Sequence, residues 1–166
     1  MRLSAAVSRR RRARSAPTMR AWAGAWLRQG EVFGLSPEDV DFRRGLLRIR
    51  RQVQLLDGRL YFTLPKGGKT RVADMPSSVA SALAEYFMEY PAVEVELPWG
   101  GPEPDHAREK FPLIPTTTYG NAIRANIFNV DGWKPTLAAA EVIPVRKQGG
   151  RWKASCKDSF HMLRHT

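Results

Sequence analysis

The clearest pattern in the chain is an alternation of apolar and polar positions. Leu47, Ile49, Val53 and Leu55 alternate with Arg48, Arg50, Gln52 and Gln54, and only Arg51 interrupts the apolar face. Period two over this length predicts a half-buried strand. Asp57-Gly58 is a hairpin turn signal, and Leu60, Phe62 and Leu64 then alternate with Arg59, Tyr61 and Thr63 in a second strand. Pro65-Lys66-Gly67-Gly68-Lys69 reads as a turn and residues 70–75 as a short third strand. Together these predict a small three-stranded antiparallel sheet. After Pro76 the period changes: Val79, Leu83, Phe87 and Tyr90 fall at helical spacing, and Pro91 ends the helix.

On the N-terminal side, Leu27, Phe33 and Leu35 give a short apolar face at the end of a helix. Ser36-Pro37-Glu38-Asp39 follows, a one-turn helix start with Ser36 as cap, Pro37 at the first position and carboxylates at the positive end. Arg28 and Glu31 are three apart, so a helix puts them on one face, where they can pair. Residues 19–27 are Ala-rich and predict a helix leading into Arg28, and residues 1–18 predict disorder. On the C-terminal side, residues 93–115 contain five prolines and Gly100-Gly101 and read as a loop with one extended piece near Phe111. Thr118 is placed to cap a helix with Ile123, Ile127 and Phe128 inward; Gly132 and Pro135 are expected to break it before a short helix at 136–142. Residues 146–157 form a basic loop, and Asp158 or Ser159 is positioned to cap a last helix at 160–166.

Length and apolar content add one domain with a real core: 166 residues, 43% hydrophobic and 26% charged. The net charge of +11 points to a polyanionic partner, nucleic acid before a membrane surface. Seven of the 27 basic residues are arginines within residues 1–20, where there is no acid, so the remainder carries only +4. Such a tail binds polyanions without discrimination. Cys156 is the only cysteine, which excludes an internal disulfide and fits a reducing compartment. No apolar run approaches a membrane span. Ser8-Arg9-Arg10 lacks the apolar region of a twin-arginine signal, and the Arg-rich start is a weak match to a transit peptide.

The order of residues adds more than the spacing does. Leu27-Arg28-Gln29-Gly30-Glu31, two apolar positions, Leu35, a turn and Val40-Asp41-Phe42 resemble the start of the catalytic domain of tyrosine recombinases, the phage-integrase family, although Trp26 stands where the family usually has Gly. Downstream, Lys66 in Pro65-Lys66-Gly67-Gly68-Lys69-Thr70-Arg71, followed by Val72 and Met75-Pro76, resembles the family's lysine hairpin. His161-Met162-Leu163-Arg164-His165 resembles its His-x-Leu-Arg-His motif. Residues 129–137 and 149–152 are similar to stretches of actinobacterial mobile-element integrases, so the resemblance covers about residues 27–166.

The resemblance implies roles. Arg28 and Arg164 contact the scissile phosphate, Glu31 holds Arg28, Lys66 is the general acid with Lys69 as its close competitor, and His161 assists proton transfer. Paired planar guanidiniums suit phosphate oxygens whose charge builds in the transition state. The nucleophilic Tyr of the family lies beyond this motif, whereas Tyr61, Tyr86, Tyr90 and Tyr119 all precede it and read as packing residues. The expectation is an α+β fold: a mainly helical integrase-like catalytic domain with a small three-stranded antiparallel sheet, incomplete at both ends. It would occupy residues 21–166 behind the tail of residues 1–20. It would need no cofactor, act on double-stranded DNA, self-associate there in the full-length family, avoid membranes, and reside in the bacterial cytoplasm at the nucleoid. Lacking the nucleophile, it would be inactive alone. Competing readings are a surface ion pair at Arg28, a plain basic turn at Lys66, and a metal site at His161, His165 and Cys156 that has no completing acid. For the chain as a whole they are a non-catalytic nucleic-acid-binding protein and a gene remnant.

Overall fold

The computed structural model describes residues 27–146 and 149–152. A short helix α1 (Gln29–Phe33) leads through a 3-10 turn (Pro37–Asp39) into strand β1 (Val40–Asp41). Strands β2 (Leu46–Ile49), β3 (Gln52–Leu56), β4 (Arg59–Thr63) and β5 (Arg71–Asp74) follow, then helix α2 (Ser77–Glu89). A hairpin of β6 (Val93–Pro98) and β7 (Arg108–Leu113) comes next. Helices α3 (Ala125–Phe128) and α4 (Lys134–Ala139) are joined without a break by a π-helical turn, Asn129–Trp133.

The expected sheet divides in two. β2 pairs with β1 and β5, while β3 and β4 form a separate hairpin around Asp57-Gly58, where both residues have positive φ as a tight hairpin turn requires. The division falls at Arg50 and Arg51. Alternation makes Arg51 an error on an apolar face, but its guanidinium is buried among acceptors, so the chain turns there instead of continuing as one strand. Residues 93–113 are also a correction: they form the β6–β7 hairpin, not a loop. Val93, Val95 and Leu97 alternate with Glu94 and Glu96, and Glu96 lies directly opposite Lys110 with Arg108 beside it. Pro98 and Pro112 sit in a two-stranded hairpin, which has free edges that tolerate a missing N–H.

Helix α2 forms as its spacing predicts, with Val79, Leu83 and Tyr86 buried and Phe87 stacked edge-on against Phe42. Thr118 does not cap a helix; it lies in a turn closed by Gly120 N–H to the Thr117 carbonyl, and the helix starts at Ala125. Ile127 faces outward, and Phe128 packs edge-on against Phe33. Gly132 and Pro135 do not break the helix. The π turn ends at Trp133, and Pro135 falls in the first turn of α4, where a missing N–H is tolerated. Strands are as prominent as helices among the described residues, so the expected helical predominance is not seen there. The predicted helices at 19–27 and 160–166 and the tail of residues 1–20 lie outside the described residues, apart from Leu27.

The core joins these pieces. Leu27, Phe33 and Leu35 from the α1 segment meet Leu47, Ile49, Phe62, Val79, Leu83, Leu113 and Ile114. Backbone hydrogen bonds tie the segments as well: Ile114 N–H donates to the Leu35 carbonyl and Gly100 N–H to the Phe62 carbonyl. Tyr61 and Tyr86 are buried, as packing residues are. No helix among the described residues is long and apolar enough to cross a membrane.

Candidate active site

Helix α1 is five residues long, and two glycines decide where it lies. A Cβ on Gly30 would come within 2.7 Å of the Val53 carbonyl oxygen, and one on Gly34 within 3.0 Å of the Arg51 carbonyl oxygen. The glycines therefore let the helix backbone press directly on the start of β3. Val32 and Phe33 turn into the core, which leaves Arg28 and Glu31 at the N-terminal end.

Arg28 precedes the first helical residue, with extended backbone, rather than lying within the helix. Glu31, at the third helical position, reaches back to it: the Arg28 N–H donates to Oε2 at 2.8 Å, and Arg28 Nη1 lies 3.2 Å from Oε1. The expected pair is formed. It is not a surface pair, because the Glu31 side chain has 0% exposure while that of Arg28 keeps 28%. Glu31 also holds a second guanidinium, with Arg71 Nη2 at the head of β5 donating to Oε2 at 2.6 Å. Arg71 appears in the lysine-hairpin motif, but nothing in its spacing marks this role, since the contact spans 40 residues. Gln29 adds a further tie by donating to Asn129 Oδ1 in the π turn at 2.7 Å.

Behind this site a second ion cluster fixes the chain where it leaves α1. Arg51 Nη1 donates to the Gly34 carbonyl, Ser36 Oγ and Asp39 Oδ2, while Nη2 donates to Glu38. Its guanidinium carbon lies 3.9 Å from the centre of the Phe111 ring. Asp39 also accepts from the Ser36 N–H, the expected cap of the one-turn helix, and from Arg50 Nε. Burial opposes the Arg50 charge, but Asp39 and Glu38 outweigh it, so the Arg50 pKa stands above its ordinary value.

Lys66 lies in an exposed turn closed by Gly68 N–H to the Pro65 carbonyl. Gly67 and Gly68 both have positive φ, a conformation glycine adopts at least cost. Neither Lys66 nor Lys69 takes part in an ion pair among the described residues. Arg28 and Glu31 are thus brought together, and Lys66 is carried on a turn that leads into the strand of Arg71. His161, Arg164, His165 and Cys156 lie outside the described residues. No group of three metal-ligating side chains occurs among the described residues.

This geometry belongs to a fold already seen in DNA-rearranging enzymes. The chain superposes on the Tn1549 transposon integrase solved with transposon right end DNA, with a TM-score of 0.63 over 92% of this chain and 44% of that one, at 16% identity. It also superposes on the XerH site-specific recombinase bound to palindromic difH substrate, with a TM-score of 0.51 over 93% of this chain and 33% of that one, at 18% identity. No protein-family model matches the chain. A curated relative, a XerC-like tyrosine recombinase of Caldanaerobacter subterraneus subsp. tengcongensis, is 32% identical over 153 residues, 86% of this chain. Sequence and fold agree in likening this chain to the tyrosine recombinases and integrases. It spans about a third (34%) of that curated relative's length.

Proposed function

We propose that this chain takes part in site-specific DNA recombination as part of a tyrosine recombinase catalytic domain, formed by residues 21–166, and that it grips a DNA phosphodiester with Arg28. The observation that carries this reading is the partly exposed Arg28 side chain (28%) held on a wholly buried Glu31, within the segment that resembles the family's first motif. A guanidinium already oriented by a carboxylate gives a phosphate paired donors with little ordering left to do. On this reading Arg164 is the second clamp, Lys66 protonates the leaving 5′ oxygen from its glycine-flanked turn, and His161 assists proton transfer.

Covalent cleavage requires a tyrosine nucleophile. Tyr61 and Tyr86 are buried, and all four tyrosines precede the His161–Arg164 motif, so we assign the nucleophile to none of them and expect this chain alone to bind without cleaving. Incubation with nicked target-site DNA should leave no protein–DNA adduct on a denaturing gel, and a clear adduct would refute the assignment. The partner is double-stranded DNA, met in the bacterial cytoplasm, with self-association on DNA expected of the full-length protein.

The seven arginines in residues 1–20 favour a second reading, in which the tail alone supplies nucleic-acid affinity. Deleting residues 1–20 separates the two. Binding that survives at moderate salt and weakens on Arg28→Ala supports the phosphate site; binding that vanishes with the tail supports the second reading.

A further inference from the structure

We infer that Arg71 is a positioning residue of the phosphate site, acting through Glu31 on Arg28; the inference rests on the phosphate reading of Arg28. One carboxylate with no exposure receives three donors, and the shortest contact, 2.6 Å, comes from Arg71, whereas the Arg28 guanidinium lies at 3.2 Å. Oε2 is shared by Arg71 and the Arg28 backbone N–H, which leaves Oε1 to orient the Arg28 guanidinium. Arg71 therefore fixes the rotation of the carboxylate that aims Arg28.

Charge gives the contact a second consequence. Arg28 and Glu31 alone sum to zero, and a neutral pair attracts an anion weakly. With Arg71 the trio carries +1, and both guanidiniums remain partly exposed, 28% and 35%. The contact also ties two motifs that are separate in sequence, because Arg71 heads β5 five residues after Lys66. The link through Glu31 thus fixes one end of the lysine turn relative to Arg28.

The test is a double-mutant cycle on the full chain, with a short DNA duplex as probe, titrated at several salt concentrations. Arg28→Ala should weaken binding about tenfold and lower the salt slope by about one. Arg71→Gln should weaken it several-fold. The double substitution should be weaker than Arg28→Ala alone by less than the loss Arg71→Gln causes by itself: the charge contribution of Arg71 remains to be lost, but the part that acts through Arg28 has nothing left to act on. Arg71→Lys, which keeps a charge and a donor, should stay within about threefold of wild type. The inference is overturned if Arg71→Gln leaves affinity unchanged while Arg28→Ala lowers it, or if the two losses multiply. Should Arg71→Gln fail to melt cooperatively, Arg71→Lys decides: near-wild-type affinity supports the role, and a loss equal to that of Arg28→Ala refutes it. No effect of Arg28→Ala itself would remove the phosphate reading and this inference with it.

Discussion

Replacing Arg51 by Met tests whether the buried ion cluster holds the segment that follows α1. Arg51 is 3% exposed and Asp39 1%, and all four acceptors Arg51 serves belong to residues 34–39. Met fills much of the volume, so the main loss is electrostatic. Removing one partner of a buried pair costs about 3–5 kcal/mol, because the other charge is left in a low-dielectric site. Here Asp39 would keep the Ser36 N–H and Arg50 Nε, and Arg50 is 41% exposed and screened by solvent. That places the expected cost near the lower end, about 3 kcal/mol. For a chain of this size it corresponds to a fall in Tm of roughly 6–12 °C. Thermal melts followed by far-UV circular dichroism should compare Arg51→Met with Asp39→Asn/Arg51→Met. Removing both charges should recover a good part of the loss, since a whole buried pair replaced by neutral groups is often near neutral. A loss below about 0.5 kcal/mol for Arg51→Met, or strictly additive losses, would refute the argument.

Three further outcomes follow from separate contacts. Gly30→Ala gains about 1 kcal/mol of helix propensity but forces a methyl against the Val53 carbonyl oxygen at 2.7 Å, so stability should fall by about 1 kcal/mol net; a raised Tm would show that α1 can lift off β3. Phe33→Ala removes a fully buried ring stacked on Phe128 and should cost about 3–5 kcal/mol in urea unfolding, whereas a loss under about 1 would mean the site collapses without strain. The Glu96 pKa is lowered from 4.5, first by its hydrogen bond from Arg108 and then by that from Lys110. A depressed carboxylate adds stability that is present above its ordinary value and lost as pH falls through its folded value. Amide signals of the β6–β7 hairpin should therefore titrate below pH 4.5 in wild type and not in Glu96→Gln; identical profiles would dismiss the cross-strand pair.

What the sequence revealed depended on whether the partners were near in the chain. The β3–β4 hairpin was legible because Asp57-Gly58 and its flanking alternation are local signals. The Arg28–Glu31 pair was legible because its partners are three residues apart. Arg51 was misread because its acceptors lie 12 to 17 residues away, and a buried arginine with satisfied donors is indistinguishable in sequence from an exposed one that spoils a strand. The β6–β7 hairpin had a visible signal in Val93-Glu94-Val95-Glu96-Leu97, with basic residues in register across it, but prolines and glycines outweighed it. Arg71 had no local signal at all. Only the fold brings β5 against the end of α1.

The site's design follows from how little α1 could do by itself. A helix of five residues is not stable in water, because its nucleation cost is never recovered over so short a length. Its geometry must be imposed from both ends. At the N-terminal end, Glu31 binds the Arg28 backbone and is itself held by Arg71. At the C-terminal end, Arg51 binds the Gly34 carbonyl and the Ser36 hydroxyl. Between them, Gly30 and Gly34 admit the contact with β3 that a side chain would prevent. The residue with partly exposed charge, Arg28, is thus mounted on a segment that is weak in isolation and fixed by contacts 12 to 40 residues away. Loosening either anchor should therefore disturb Arg28 as well as lower the stability of the fold, so the two ion clusters serve the candidate site and the core together.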